Sequence, residues 1–397
     1  MFNHEVRHYC DEKALRAVAL ELRSAGLLSA AIPGLDPEFL AEGFEGTLSG
    51  AIVAYRDKTP FAYMTYAMPW KRFRTAIGPL SFGWLPFRQL RIFGIVGSPP
   101  NHVVDEFLRL LLARKEWDVA EMFEFAPHHA LAGRLASLPM RRGCRMIRKD
   151  VPTIQVKLED TFEAYLQGRF HKKARYNLKR EVRLLEESAP GEVEMKIFRS
   201  PEEVAPFLRD AETIARLTYQ WKMGMTTVQM TPQALQRLSY VARAGQWRSY
   251  ILYIRGVPAA YCYATIRHGE LAYETVGYDP QFAKLNPGKV LLFKILQDLH
   301  QSRVVGALDF GRGITDYKQL FANAQRQLID ISLFPNGAYS QFLWMLAAAT
   351  DQGYRRLHPL LRHWMPWIKR KIQKTFGLLL PGIVEEHELL FKLVALD

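Results

Sequence analysis

The sequence is poor in cysteine. Cys10, Cys144 and Cys262 are the only three in 397 residues. They are too few and too scattered for a disulfide framework, and their spacing is not that of a zinc site. Such usage is expected of a reduced, cytoplasmic protein. Long apolar runs are also lacking. The longest candidate, Phe342 to Ala349, falls far short of the ~20 residues that a membrane-crossing helix needs. The opening MFNHEVRHYCDEK is charged and has no apolar core of the kind a secretory signal carries. The 11 histidines are scattered. No metal-ligand spacing and no Ser/His/Asp or Cys/His arrangement stands out, so neither a metal nor a triad nucleophile is expected. Acids are the minority charge: 40 Asp and Glu against 53 Lys and Arg give +13. The balance favours anionic partners, namely a nucleotide cofactor, RNA or an anionic membrane surface, without choosing among them.

What is present is core. Hydrophobic residues make up 49% and aromatics 12%, which indicates a globular chain long enough for two domains. Residues 11–30 read as an amphipathic helix with Leu15, Val18, Ala19 and Leu22 inward. From Ala51, IVAYRDKTPFAYMTYAM reads as a hairpin around Arg56 to Pro60. RQLRIFGIVGSPP follows as a strand and turn, HVVDEFLRLLLARKE as a helix and VAEMFEFAPHH as a strand. The same order recurs half a chain later in IRGVPAAYCYA, LAYETVGYDP, GKVLLFKILQDLHQSR and VVGALDFGRG. The pattern predicts an internal structural repeat, two copies of one sheet unit. The expected domains are 1–150, 151–339 and a tail, 340–397.

In the second copy, residues 251–256, 258–266 and 270–278 read as strands. A tight turn is expected at Gly256-Val257-Pro258. Residues 288–302 carry Val290, Leu291, Phe293, Ile295, Leu296 and Leu299 largely on one helical face, and 304–310 form a short apolar strand ending near Asp309. This order predicts an α+β unit around a mixed sheet. Asn286-Pro287-Gly288-Lys289 stands at the helix start. Unpaired N–H groups and the positive end of the dipole there suit a phosphate, although the same residues also make an ordinary helix entry.

The segments RGVPAA, YETVGYDP, LNPGKVLL, LDFGRGITDYKQLF and the upstream KKARYNLKREVRLLEE together resemble the GNAT acyltransferase fold. The likeness is to the branch with CelD/BcsL-type acetyltransferases and the FemABX peptidyltransferases. It covers the last three-fifths of the chain. LNPGKV departs from the family's Q/R-x-x-G-x-G/A loop. The resemblance implies tandem GNAT-like halves, each a mixed, mostly antiparallel sheet flanked by helices. It implies acyl-CoA (acetyl-CoA) as co-substrate, held by Gly277, Tyr278, Asn286, Pro287, Gly288, Lys289 and Lys318. Glu274 is the implied base and Tyr317 the acid to the leaving thiolate. Asp309 either orients the acceptor or anchors the Gly311–Gly313 turn, and Lys318 pairs with a phosphate or with Asp309. On the acceptor side stand Lys172, Arg175 and Asn177, which match the family's K-x-x-R-x-N pattern, with Tyr219, Trp221, Gly311, Arg312 and Gly313. The acceptor is expected to be a small amine, an amino sugar or another saccharide, in a polysaccharide or cell-envelope setting. The alternatives are an aminoacyl-tRNA-dependent transferase, or a non-catalytic module that binds a nucleotide or a membrane.

Other stretches allow two readings each. Phe73, Phe82, Trp84 and Phe87, in an irregular stretch, line an acceptor wall or simply pack the first half. Arg141, Arg142, Arg145, Arg148 and Lys149 read as a solvated turn. Residues 160–187 read as one helix or two, with Lys172, Arg175, Lys179 and Arg183 as a basic stripe opposite Leu178, Val182 and Leu185. Arg355 to Phe376 reads as a basic amphipathic segment, with Trp364 and Trp367, that suits an anionic membrane surface or a packed terminal helix.

Overall fold

The computed structural model describes residues 4–28, 33–43, 47–77, 80–114, 116–127, 129–137, 144–218, 221 and 228–350. The predicted basic tail at 355–376, with Tyr219, Arg141 and Arg142, lies outside them. The chain divides into two compact units. One takes Met1–Leu28, Gly34–Val151 and the chain from Gln327 onward; the other is in the main Pro152–Arg326.

The chain opens with β1 (His4–Tyr9), α1 (Glu12–Ser24), α2 (Pro37–Gly43), β2 (Leu48–Arg56), β3 (Thr59–Met68), β4 (Trp70–Ile77) and β5 (Leu80–Gly97). α3 (Asn101–Leu112), β6 (Val119–Phe125) and α4 (Ala130–Ser137) follow. Next come β7 (Arg145–Lys157), α5 (Phe162–Arg169), α6 (Lys172–Ser188), β8 (Val193–Phe198), α7 (Val204–Ala215) and α8 (Pro232–Arg243). β9 (Ser249–Ile254), β10 (Val257–Arg267), β11 (Glu270–Tyr278), α9 (Pro287–Ser302), β12 (Ala307–Asp309) and α10 (Asp316–Phe321) complete the second unit. β13 (Ala324–Phe334) and helical residues 338–350 close the described chain.

In the first unit β1, β2, β3 and β5 pair antiparallel in that order. β5 then runs parallel to β6, which needs the crossover that α3 supplies. β13 adds to β6 antiparallel. In the second unit β8, β9, β10 and β11 pair antiparallel, β11 runs parallel to β12 across α9, and β7 adds to β12 antiparallel. The two plans are the same. In each, the sixth strand comes from a distant part of the sequence: β13 follows the second unit's elements yet pairs with β6, and the far half of β7 pairs with β12.

Local chemistry explains most elements. Asp11 caps α1, its carboxylate accepting from Ala14 N–H, and Leu15, Val18, Ala19 and Leu22 are buried as their spacing requires. Thr231 caps α8 in the same way, with Pro232 at the first helical position. The stretch 162–188 is two helices, not one. α5 ends before His171, the N-cap of α6, and Leu178 and Leu185 are the buried stripe of α6.

Three expectations are corrected. The β9–β10 turn is Arg255-Gly256, both left-handed at φ 53° and 72°, and Val257 and Pro258 already belong to β10. A two-residue turn with positive φ matches the twist of the strands it joins. The stretch around Phe73 and Phe87 is regular: β4 and β5 form a long hairpin. Arg145, Arg148 and Lys149 lie in β7, not in a turn.

The second unit's sheet carries a core on each face. α5, α6 and α9 cover one face, through Leu178, Leu185, Val290, Leu296 and their neighbours on Leu252, Cys262 and Tyr273. α7 and α8 cover the other, through Phe207, Ile214 and Leu238 on Phe198, Ile251 and Tyr261.

Candidate active site

The second unit's sheet opens beside β11. β11 and β12 are neighbours over three residues, Glu270–Ala272 against Ala307–Asp309. β12 then stops, while β11 continues to Tyr278, paired on its other side with β10. From Tyr273 to Tyr278 the β12-side edge has no strand partner among the described residues. The gap is bounded by that edge, the Asp309–Gly313 loop and the start of α9. At its foot the Tyr273 ring meets Phe310 edge-on, 5.4 Å between centroids.

The first unit repeats this opening, with Gln89–Arg91 against Val119–Glu121. There it is filled with side chains. Phe125 and Leu35 come so close to Gly94 that an added Cβ would touch both.

At the start of α9, Asn286 adopts a left-handed conformation, φ 49°, and Pro287 takes the first helical position. Lys289 and Val290 N–H both donate to Asn286 O, and Pro287 has no N–H. Gly288 is therefore the first-turn amide that no described residue satisfies. The Tyr278 ring lies next to it, 3.7 Å from where a Cβ would stand. Lys289 Nζ donates to Glu181 of α6 at 2.8 Å. Glu181 Oε2 is buried without a partner.

Gly277 is set by packing. An added Cβ would stand 2.6 Å from the Tyr261 ring and 3.0 Å from Thr218. Glu274 is the extra residue of a β-bulge, where the register jumps from Tyr263↔Thr275 to Ala264↔Tyr273. Its carboxylate accepts from the Thr265 hydroxyl and, at 2.6 Å, from Arg267.

Asp309 accepts from Gly311 N–H at 2.9 Å and from Arg326 at 2.5 Å. Arg326 also binds Glu270 at 2.9 Å. Of the two roles weighed for Asp309, the geometry is that of an anchor. Gly311 and Gly313 are left-handed, φ 64° and 78°, which only glycine adopts freely. Lys318 reaches back from α10 and donates to Phe310 O at 2.9 Å and Arg312 O at 3.1 Å. Burial pushes its pKa down against the pull of Asp309. Tyr317, in the first turn of α10, is more than a third exposed. It lies close enough to Tyr273 to reinforce, behind burial, the rise of that phenol's pKa.

The α6 stripe is largely answered by neighbours. Arg175 donates to Phe170 O at 2.8 Å, Lys179 pairs with Glu163 and Arg183 with Glu187. Lys172 and Asn177 are exposed. Trp221 packs beside the α7–α8 core, with Arg216 stacked on its ring at 5.3 Å. The structure thus groups Tyr278, Asn286, Pro287, Gly288, Asp309, Gly311, Arg312, Gly313 and Tyr317 around the gap. It gives Gly277, Glu274, Lys289 and Lys318 protein partners. Sequence reasoning missed Glu181 and Arg326. Glu181 sits on a helix already read correctly, but nothing local marks its partner on α9.

Residues 172–319 match the family model described as acetyltransferase (GNAT) domain. No curated protein matches the sequence. Among solved structures, the C-terminal domain of a candidate lysylphosphatidylglycerol synthetase from Agrobacterium fabrum aligns over 84% of this chain and 96% of that one, at 11% identity and a TM-score of 0.51. FemX aligns over 75% and 90%, at 10% identity and a TM-score of 0.49. A tandem GNAT protein from the clavulanic acid biosynthesis pathway aligns over 84% and 99%, at 11% identity and 0.41. At 11% identity, the likeness to the first of these is one of fold alone. The fold is GNAT-like and α+β, with mixed, mostly antiparallel sheets flanked by helices. Among the described residues no cluster of three or more His, Cys, Asp or Glu suits a metal, and no helix is long and apolar enough to cross a membrane.

Proposed function

We propose that the second unit is an acyl-CoA-dependent N- or O-acyltransferase, with the opening beside β11 as its cofactor site. The observation that carries this reading is the stretch of β11 beyond β12, which has no strand beside it on that side among the described residues, next to the open Gly288 amide and inside the segment that matches the acetyltransferase domain. A pantetheine arm carries two amides, and a strand edge with no strand beside it presents N–H and C=O groups at the spacing such amides match. A pyrophosphate suits the Gly288 amide at the positive end of α9. Acyl-CoA brings the activated thioester; the chain's part is placement. Tyr317, beside Tyr273 at the foot of the gap, gives a proton to the departing thiolate. Acetyl is the proposed acyl group, and an amine or sugar hydroxyl the acceptor class, as in polysaccharide or envelope chemistry.

The test is release of free thiol from acetyl-CoA by the full chain over a panel of amines and amino sugars. Acceptor-dependent release that Gly288→Pro abolishes supports the reading. No release with any acceptor, together with transfer from aminoacyl-tRNA, would replace it with the FemABX-like alternative. The pairing of Lys179 and Arg183 with glutamates favours the acyl-CoA reading, because it removes charge from the stripe that RNA would need.

A further inference from the structure

β4 and the first half of β5 form a hairpin that stands off the first unit's sheet. Trp70–Ile77 pairs with Leu80–Arg88, and among the described residues β4 has no other strand neighbour. Only from Gln89 onward does β5 join β3 and β6. Residues directly opposite in an antiparallel pair share a face. The pairs Lys71↔Phe87 and Phe73↔Leu85 therefore define one face, and Trp70↔Arg88, Arg72↔Pro86 and Arg74↔Trp84 the other.

The first face is covered. Phe87 is buried with Val119, Phe334 and Leu343, and Phe73 and Leu85 pack against them. The second face is largely exposed among the described residues. Trp70 is 62% exposed and Trp84 58%, in a protein whose Trp117 and Trp247 are buried. Arg88 lies over the Trp70 ring at 4.9 Å. Arg72 is exposed between them. Charge is one-sided as well. Between Asp57 and Asp105 there is no acidic residue, while Lys58, Lys71, Arg72, Arg74, Arg88 and Arg91 are basic.

We propose that this hairpin docks the protein on an anionic lipid bilayer. The order of residues along it selects that partner. From Thr75 to Phe87 the sequence is uncharged and carries Ile77, Leu80, Phe82, Trp84 and Leu85, whereas Lys71, Arg72, Arg74 and Arg88 lie toward the root, with Arg74 opposite Trp84 and Arg88 opposite Trp70 in the register. An uncharged apolar end, followed by tryptophans level with cations, is the order a bilayer presents from acyl chains to the headgroup interface. A nucleic acid would call instead for cations along the whole face, to follow its phosphates. The proposal is independent of the acyl-CoA site.

The test is flotation of the full chain with phosphatidylcholine vesicles, with and without phosphatidylglycerol. Two variants are compared, Trp70→Ala/Trp84→Ala and Arg72→Glu/Arg88→Glu. The wild type binds the anionic vesicles, less as salt rises. Each basic side chain at such a surface is worth about fivefold in affinity, so the double charge reversal costs about 25-fold or more. Brominated acyl chains quench wild-type tryptophan fluorescence, and the quenching is lost in the tryptophan double variant. The exposure of Trp70 and Trp84 lets both variants fold, which circular dichroism checks. Undiminished vesicle binding by both variants would overturn the proposal. So would an absence of wild-type binding to anionic vesicles, or binding to tRNA alone that the same substitutions abolish.

Discussion

Lys289 of α9 donates to the Glu181 carboxylate of α6 across 2.8 Å, so the one lysine of the helix-entry loop already has a protein partner. A phosphate at that loop meets a cation half-neutralised by Glu181. Removing the competing carboxylate should therefore help. Glu181→Gln is expected to tighten CoA binding about threefold to tenfold, as a unit charge acts near a partly exposed helix start. Calorimetric titration checks this, and an unchanged or weakened affinity would place the phosphate elsewhere.

Gly277 faces the Tyr261 ring at a distance no Cβ tolerates. Gly277→Ala should cost about 1–3 kcal/mol of stability, the usual effect of overpacking. Urea denaturation measures it. A variant as stable as the wild type that had lost CoA binding would return Gly277 to the cofactor site.

Asp309 and Arg326 form one bond of a network with Glu270 and Gly311. Asp309→Asn and Arg326→Gln should each cost about 1–3 kcal/mol, since each leaves a partly buried partner unmatched. In a double-mutant cycle the pair should fall well short of the sum. Additive losses would mean that the two act apart. A silent effect on stability with lost activity would make Asp309 part of the chemistry.

Much of this was legible in the sequence. α1, α6 and α9 follow their apolar spacing, because each buries one stripe. β9, β10 and β11 were visible as β-branched and aromatic runs between turns. The repeat was visible because both copies keep the order hairpin, strand, helix, strand. The rest depends on distant partners. β13 pairs with β6 some two hundred residues upstream, and no local pattern specifies that. The β4–β5 hairpin was obscured by Gly78-Pro79 and Gly83, which made the stretch read as irregular. The helix-entry residues were named from their own chemistry. Glu181 and Arg326, which decide what Lys289 and Asp309 are free to do, were not, because an ion pair across a sheet or between helices leaves no spacing signal.

Tyr317→Phe removes a hydroxyl and little else from an exposed position at the gap. It should lower kcat by at least about tenfold while KM for acyl-CoA hardly moves, the signature of a lost proton donor. Steady-state kinetics separate the two. A raised KM with unchanged kcat would make Tyr317 a binding residue instead.

His300 is buried on α9 beside Phe162 and Tyr165. Its Nδ1 faces Leu296 O at 2.6 Å, and no described residue bonds Nε2. Burial pushes its pKa below the ordinary value of about 6.5. The folded chain then binds fewer protons than the unfolded one once pH falls below that value, so acidification costs stability through this residue. His300→Gln keeps a donor for Leu296 and does not titrate. Between pH 7.5 and 5.5 the wild type should lose more stability than the variant. Parallel pH profiles would show that His300 takes no part.

The central claim is a working acyl-CoA site beside β11, and calorimetric titration of the full chain with acetyl-CoA at moderate salt tests it most directly. Micromolar binding that Gly288→Pro abolishes in a folded variant is the predicted result. Absence of binding by the wild type, or binding that Gly288→Pro leaves intact, would contradict it.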